Sequence, residues 1–288
     1  MKTIPPPHPD PHRPALALPP NACDAHCHIF GPGDRFPYSP DRAYTPPDAP
    51  LERFEALQER LGLERAVFVQ ASCHGTDNAA MLDALRRGDG RYAGVAMIDP
   101  SFTNAAIGEL HEAGVRGTRF NFVAHLGGAP DLDEFRSVVH RVAPLGWHIV
   151  LHFDAVDIPQ YVDLLDRMPC PYVIDHMGRA PVTDGVDQEP FQRLLGLMAD
   201  DRCWVKISGA ERLTADGAAP YDDVVPFAQA LIEAAPDRVL WGTDWPHPNV
   251  RVMPDDGDLV DVLAQFAPDE HVRNRILVTN PEALYDFG

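Results

Sequence analysis

Eight short apolar segments alternate with amphipathic stretches along nearly the whole chain, and this alternation restricts the fold more than any other feature. The segments read as strands at Cys23–Phe30, Ala66–Ala71, Ala93–Asp99, Gly117–Phe122, His148–Phe153, Tyr172–Asp175, Trp204–Ser208 and Val239–Thr243. The stretches between them place apolar residues at helical spacing, as in Leu51, Phe54, Leu57 and Leu61, or Phe227, Leu231 and Ile232. Short, near-continuously apolar strands that alternate with helices indicate parallel strands covered on both faces. Eight such units predict a (β/α)8 barrel of the TIM type, one domain over residues 21–288. The alternative is a doubly wound open sheet, but no Gly-x-Gly-x-x-Gly follows any strand. Residues 1–20 read as an extended arm, so punctuated by proline that helix or ladder is disfavoured. Pro268 to Gly288 is expected to add one or two helices packed over the barrel. Gly31 to Pro50 is a long loop rich in Pro, Asp and Tyr, of the kind that forms lids or binding loops.

Charge narrows the partners. A net charge of −19, from 24 Lys+Arg against 43 Asp+Glu, repels nucleic acid and anionic lipid, and no basic cluster offsets it. A small anionic substrate would therefore need local arginines. No apolar run is long enough to span a membrane, and the first twenty residues lack the apolar core of a signal peptide. The five scattered cysteines, an odd number, are expected to be reduced thiols in the cytoplasm. Nothing in the sequence sets the oligomeric state.

Barrels of this kind gather their chemistry at the C-terminal strand ends. His26 and His28 end strand one; their i, i+2 spacing puts them on one face, about 6–7 Å apart at Cα. Strand two leads into Gln70, Ser72, Cys73 and His74, and strand four ends with Arg119, Asn121 and Phe122. His152 ends strand five, Asp175-His176 ends strand six, and strand seven leads to Ser208 and Arg212. Thr243-Asp244 ends strand eight, followed by Trp245-Pro246-His247-Pro248-Asn249. Taken singly, each has a plain structural role: His152 as a hydrogen-bonded barrel residue, Asp244 as a cap. Taken together, four histidines and an aspartate on one rim form a donor set suited to Zn, Mn or Fe. His148 shares a strand face with His152 but lies deeper, where a core hydrogen bond is expected. Trp147, Trp204 and Trp241 read as packing residues, and His8, His12, His111 and His140 as exposed. His74 and His125 are loop residues near the rim.

Five strings complete the pattern: Asp24-Ala25-His26-Cys27-His28; Val69 through Asn78; Arg116 through Phe122; Ile174-Asp175-His176-Met177-Gly178-Arg179; and Trp241 through Asn249. With these in order, the chain resembles the amidohydrolase superfamily, and within it the family of 2-pyrone-4,6-dicarboxylate lactonases. The resemblance covers nearly everything after residue 20. It implies hydrolytic ring opening of a carboxylated lactone from aromatic catabolism, with Asp244 as general base and His26, His28 and His176 around the lactone carbonyl. It implies substrate carboxylates held by Arg119 and Arg212, with Tyr44, Ser72 and Asn249 as further contacts. Two positions depart from the pyrone lactonase pattern: His152 stands where that family has a tyrosine, and His125 where it has an arginine. The pyrone lactonase works without metal, whereas metal-binding members of the superfamily use the set His26, His28, His152, His176 and Asp244 present here. The implied cofactor is thus one divalent ion, Zn or Mn, or none. The other substrates implied are muconolactones, sulfonated ones included, and sugar-acid lactones. Metal-dependent non-oxidative decarboxylation is the alternative of a different reaction class.

Overall fold

The computed structural model describes residues 2–287; Met1 and Gly288, the outer ends of the expected arm and tail, lie outside the described residues. Eight parallel strands form the expected barrel: β1 Cys23–Cys27, β2 Arg65–Val69, β3 Tyr92–Ala96, β4 Val115–Asn121, β5 His148–His152, β6 Tyr172–Ile174, β7 Cys203–Lys206 and β8 Val239–Leu240. Each pairs with its sequence neighbours in the order β8 to β1, as right-handed βαβ crossovers produce. Most strands stop one to three residues before the expected end. The polar residues there leave the ladder and turn into the loops at the rim.

The ring closes without a ladder between β1 and β8. The segment after β8 does the closing: Ala25 N–H donates to Trp241 O (2.8 Å), Asp244 N–H to His26 O (2.7 Å), and His28 N–H to Trp245 O (2.8 Å). This seam is tight enough to require Gly242, where a β-carbon would lie 2.4 Å from His26 N. The buried Asp24 carboxylate bolts the seam by accepting from Thr243 N–H (3.0 Å), Thr243 Oγ1–H (2.5 Å) and His26 N–H (3.0 Å).

Inside the barrel, Val67, Val69, Val95, Val150, Val173 and Leu240 pack together with Tyr285 from the C-terminal tail. The tail forms three consecutive short helical segments, Glu270–Asn274, Arg275–Thr279 and Asn280–Tyr285. It covers the end where the strands begin: the Asn280 amide donates to Pro236 O and Val239 O (2.9 and 2.8 Å). At the other terminus the arm departs from expectation. Lys2–Thr3 form a short parallel ladder with Tyr44–Thr45, because prolines begin only at position 5. All five cysteines are free and buried. Among the described residues, no helix is long and apolar enough to cross a membrane.

Candidate active site

The site is built around Asp244. Its backbone is left-handed (φ +62°), which turns the side chain inward just past β8. A register shift in β1 between Asp24 and Cys27 still leaves the His26 and His28 rings 5.1 Å apart on the same side. His28 Nδ1–H donates to Val69 O (2.8 Å), and this bond aims Nε2 at Asp244 Oδ1, 3.2 Å away. The Nε2 atoms of His26 and His176 lie 3.5 and 4.0 Å from that same oxygen. Three imidazole nitrogens thus converge on one carboxylate oxygen.

The other oxygen belongs to Arg212, on the short helix Ala210–Leu213. Arg212 Nε–H donates to Asp244 Oδ2 (2.6 Å), Nη2 approaches the same atom closely, and Nη1–H donates to Pro248 O (2.8 Å). Burial alone would raise the Asp244 carboxyl, but Arg212, with His176 and His28, more than offsets this and holds it well below the usual carboxylate range. Arg212 also lies 3.2 Å from Glu211, a buried carboxyl that desolvation pushes up to about 7.

Beneath His26 lies a charge network that the sequence reading did not assign. His26 Nδ1 sits 3.1 Å from Lys206 Nζ and 3.2 Å from Asp175 Oδ1. Lys206 is 3.5 Å from Asp175, whose other oxygen accepts from Arg119 Nε–H (2.9 Å). All four side chains are buried. Burial would raise Asp175, yet His26, Lys206 and Arg119 together hold it well below its ordinary value. The signal for Lys206 was present in the alternation of β7, which puts it on the same face as Ser208; a lysine amid apolar strand residues has few other places to go.

The remaining walls come from loops. His176, Met177, Gly178 and Arg179 all have φ between +51° and +60°, a left-handed turn that costs about 1–2 kcal/mol for each residue bearing a Cβ. His176 Nδ1 lies 2.9 Å from Ser208 Oγ. His152 Nδ1 is bound to Asn121 Oδ1 (3.0 Å), while its Nε2 is buried without a hydrogen-bond partner among the described residues. Burial pushes His176 down to about 3; His26 and His152 also fall well below their ordinary value, through burial and then the nearby cations Lys206 and Arg119 respectively. These rings are therefore neutral at neutral pH.

One cavity is lined by His28, Tyr44, Ser72, Arg119, His125, His152, His176, Arg212, Asp244 and Asn249, together with Arg179. His26, fully buried, lies out of that lining, against Asp244 and the charge network. Arg119 and Arg212, expected as substrate clamps, are each already paired with a buried carboxylate. His74 does not line the cavity: it pins the long loop by accepting from Gly31 N–H (3.1 Å) and donating to Pro37 O (3.1 Å). His148 lies deep in the barrel as expected; its ring nitrogens form no well-aligned hydrogen bond among the described residues, and the Arg116 backbone is the polar group that acts on the ring. The space His148 fills was cleared by Gly117 across the barrel, where a β-carbon would meet its ring at 2.6 Å.

This geometry sits on a matched family. The family described as Amidohydrolase matches residues 23–287. The chain belongs to it. A 2-pyrone-4,6-dicarboxylate hydrolase of Comamonas testosteroni is 48% identical over 285 residues, covering 96% of this chain and 93% of that one. A 4-sulfomuconolactone hydrolase of Rhizobium radiobacter is 45% identical over 275 residues, covering 94% and 92%. A crystal structure from Agrobacterium tumefaciens superposes with a TM-score of 0.82 at 30% identity, covering 96% of this chain and 99% of that one.

Members of this amidohydrolase family often hold a divalent metal, and the donor set here fits one. His26, His176 and Asp244 each offer a ligand atom within 4.8 Å of the others. His28 adds a fourth: with its Nδ1–H donating to Val69 O, its Nε2 is the ring atom that faces the same carboxylate oxygen and would serve as the ligand. A carboxylate oxygen and a ring nitrogen facing each other at 3.2 Å need a cation or a proton between them. His152 Nε2, unpartnered, belongs to a ring 5.6 Å from that of His176.

Proposed function

We propose that this amidohydrolase opens a carboxylated lactone by hydrolysis, as a cytoplasmic enzyme of aromatic catabolism, with 2-pyrone-4,6-dicarboxylate as the first substrate to try. The observation that carries the reading is the ionised, buried Asp244, faced by three imidazole nitrogens and bordering a cavity with three arginines. Asp244 takes a proton from water, and the resulting hydroxide adds to the lactone carbonyl carbon. His28 and His176 surround the carbonyl oxygen as it gains charge. The ring C–O bond then breaks, giving a carboxylic acid, which ionises by releasing its proton to solvent, and an enolate oxygen that recovers the proton from Asp244.

Arg212 links binding to this step. In the free protein its guanidinium depresses Asp244 and makes it a weak base. A substrate carboxylate arriving at Arg212 shares that charge, which moves Asp244 up toward the range useful for proton abstraction. A divalent ion, Zn or Mn, would be held by His26, His28, His176 and Asp244, with His152 in reach, and would supply Lewis-acid polarisation or a more acidic water. A second reading, a sulfonated muconolactone, is favoured by His125 and His152 standing where the pyrone lactonase family has arginine and tyrosine.

The experiment is hydrolysis of pyrone dicarboxylate followed by loss of ring absorbance, acid release and carbon dioxide, with and without chelator. Ring opening with acid release and no carbon dioxide is expected. Carbon dioxide release would replace the reading by decarboxylation, and no turnover of any carboxylated, sulfonated or sugar-acid lactone would overturn it.

A further inference from the structure

We infer that Arg179 is a second anion anchor of this cavity, the group that selects ligands carrying two negative charges over ligands carrying one. The inference rests on the carboxylated-lactone reading and names the part of the site that reads the second charge.

Three arginines line the cavity, and two are committed inward. Arg119 donates to Asp175, which is fully buried, and Arg212 spends all three of its nitrogens on Asp244 and Pro248 O. Arg179 differs from Arg119 in its partner: both spend only Nε on a carboxylate, but the one that Arg179 holds lies toward solvent. Its Nε–H donates to Asp154 Oδ1 (2.5 Å), and its two Nη atoms have no partner among the described residues. Asp154 is 36% exposed and forms no part of the cavity wall, so solvent weakens the pair and an incoming anion need not strip a buried carboxylate of its counter-charge. The free Nη pair is the end of the guanidinium that grips a carboxylate or sulfonate with two parallel bonds.

The backbone supports the same assignment independently. Arg179 ends the left-handed turn that His176 begins, and both of these end residues line the cavity. Backbone strain of this kind persists where the surroundings demand it, and it clusters at binding sites. Here it delivers an imidazole and a guanidinium from one four-residue turn. The histidine that replaces an arginine at position 125 lines the same cavity, and burial together with the Arg179 charge keeps its pKa below the ordinary value. On that side of the cavity Arg179 is the standing positive charge.

The test is calorimetric titration with isophthalate and benzoate, planar rings that differ by one carboxylate and cannot be hydrolysed. The native protein should bind isophthalate roughly tenfold or more tightly than benzoate, the scale of one charge-assisted contact. Arg179→Gln should remove most of that preference, Arg179→Lys should keep part of it, and Asp154→Asn should widen it by freeing the guanidinium. A native protein without the preference, a preference that survives Arg179→Gln, or one that shrinks in Asp154→Asn overturns the anchor. Pyrone hydrolysis with an Arg179-independent preference removes the anchor and leaves the lactone reading standing. An Arg179-dependent preference in a protein that hydrolyses no lactone does the reverse.

Discussion

Where the strands finish, the barrel buries Lys206, Asp175, Arg119 and Asp244, with the partly buried Arg212, in alternating charges, each within 3.5 Å of an opposite one. Where they begin, it buries His148 and Tyr285 with their rings 5.0 Å apart, the Tyr285 hydroxyl without a hydrogen-bond partner among the described residues and the His148 ring helped only by the Arg116 backbone. Burial is nearly complete at both ends. The difference lies in what compensates it. Charges at the rim are desolvated but matched, so removing one strands the others. Polar groups at the base are neutral and almost unmatched, so replacing them by apolar groups should cost little. The rim reads as a preset electrostatic environment and the base as a plug.

The largest expected effect tests the rim's chemistry. Asp244→Asn should lower turnover by about 10²–10⁴-fold, the usual worth of a positioned general base, while circular dichroism stays native. Near-normal turnover would remove Asp244 from that role. Next comes the network below it. Lys206→Met leaves Asp175 short of a counter-charge and should lower unfolding free energy by about 3–5 kcal/mol, measurable by urea titration. A loss under about 1 kcal/mol would make the network no more important than a surface pair.

The base supplies the opposite prediction. His148→Leu should change stability at neutral pH by no more than about 1 kcal/mol, because at most one weak backbone hydrogen bond is lost. Its pH dependence is sharper. Burial lowers the His148 pKa from 6.5 to about 3, so the unfolded chain binds a proton in that window that the folded one does not. Its contribution is complete above pH 6.5 and is lost as pH falls toward 3. His148→Leu should therefore flatten the acid limb by about 1.4 kcal/mol per pH unit between roughly pH 6 and 4. An unchanged slope would mean that the ring is protonated or partnered in the folded state. Smallest is Tyr285→Phe, expected within about 1 kcal/mol of the native protein and without effect on turnover. A loss above about 2 kcal/mol would show that the hydroxyl has a partner and that the base is not a plug.

The rim and the base were not equally legible in the sequence. Alternation of apolar strands and amphipathic helices determined the barrel, because each near-continuously apolar strand must be covered on both faces and eight of them suffice to close. The same logic placed His26, His28, His152, His176 and Asp244 at strand ends, since polar residues there interrupt otherwise apolar segments. Alternation also put His148 on an inward face, but not the room for its ring, which Gly117 leaves by carrying no β-carbon. For residues 31–50 the structure supplies anchors, His74 among them, and puts Tyr44 in the cavity wall.

By itself, then, the sequence determined which residues face inward, because side-chain direction along a strand is a local property. Only the closed ring decided which of them meet. His26 reaches Lys206 across 180 positions and Asp244 lies beside His28 across 216, distances no spacing rule spans. That Arg119 and Arg212 hold buried carboxylates while Arg179 holds a partly exposed one is likewise a matter of who stands across the barrel from whom. The left-handed turn from His176 to Arg179 belongs to the same class: no local preference of His, Met or Arg favours it, and it is held by the packing around it.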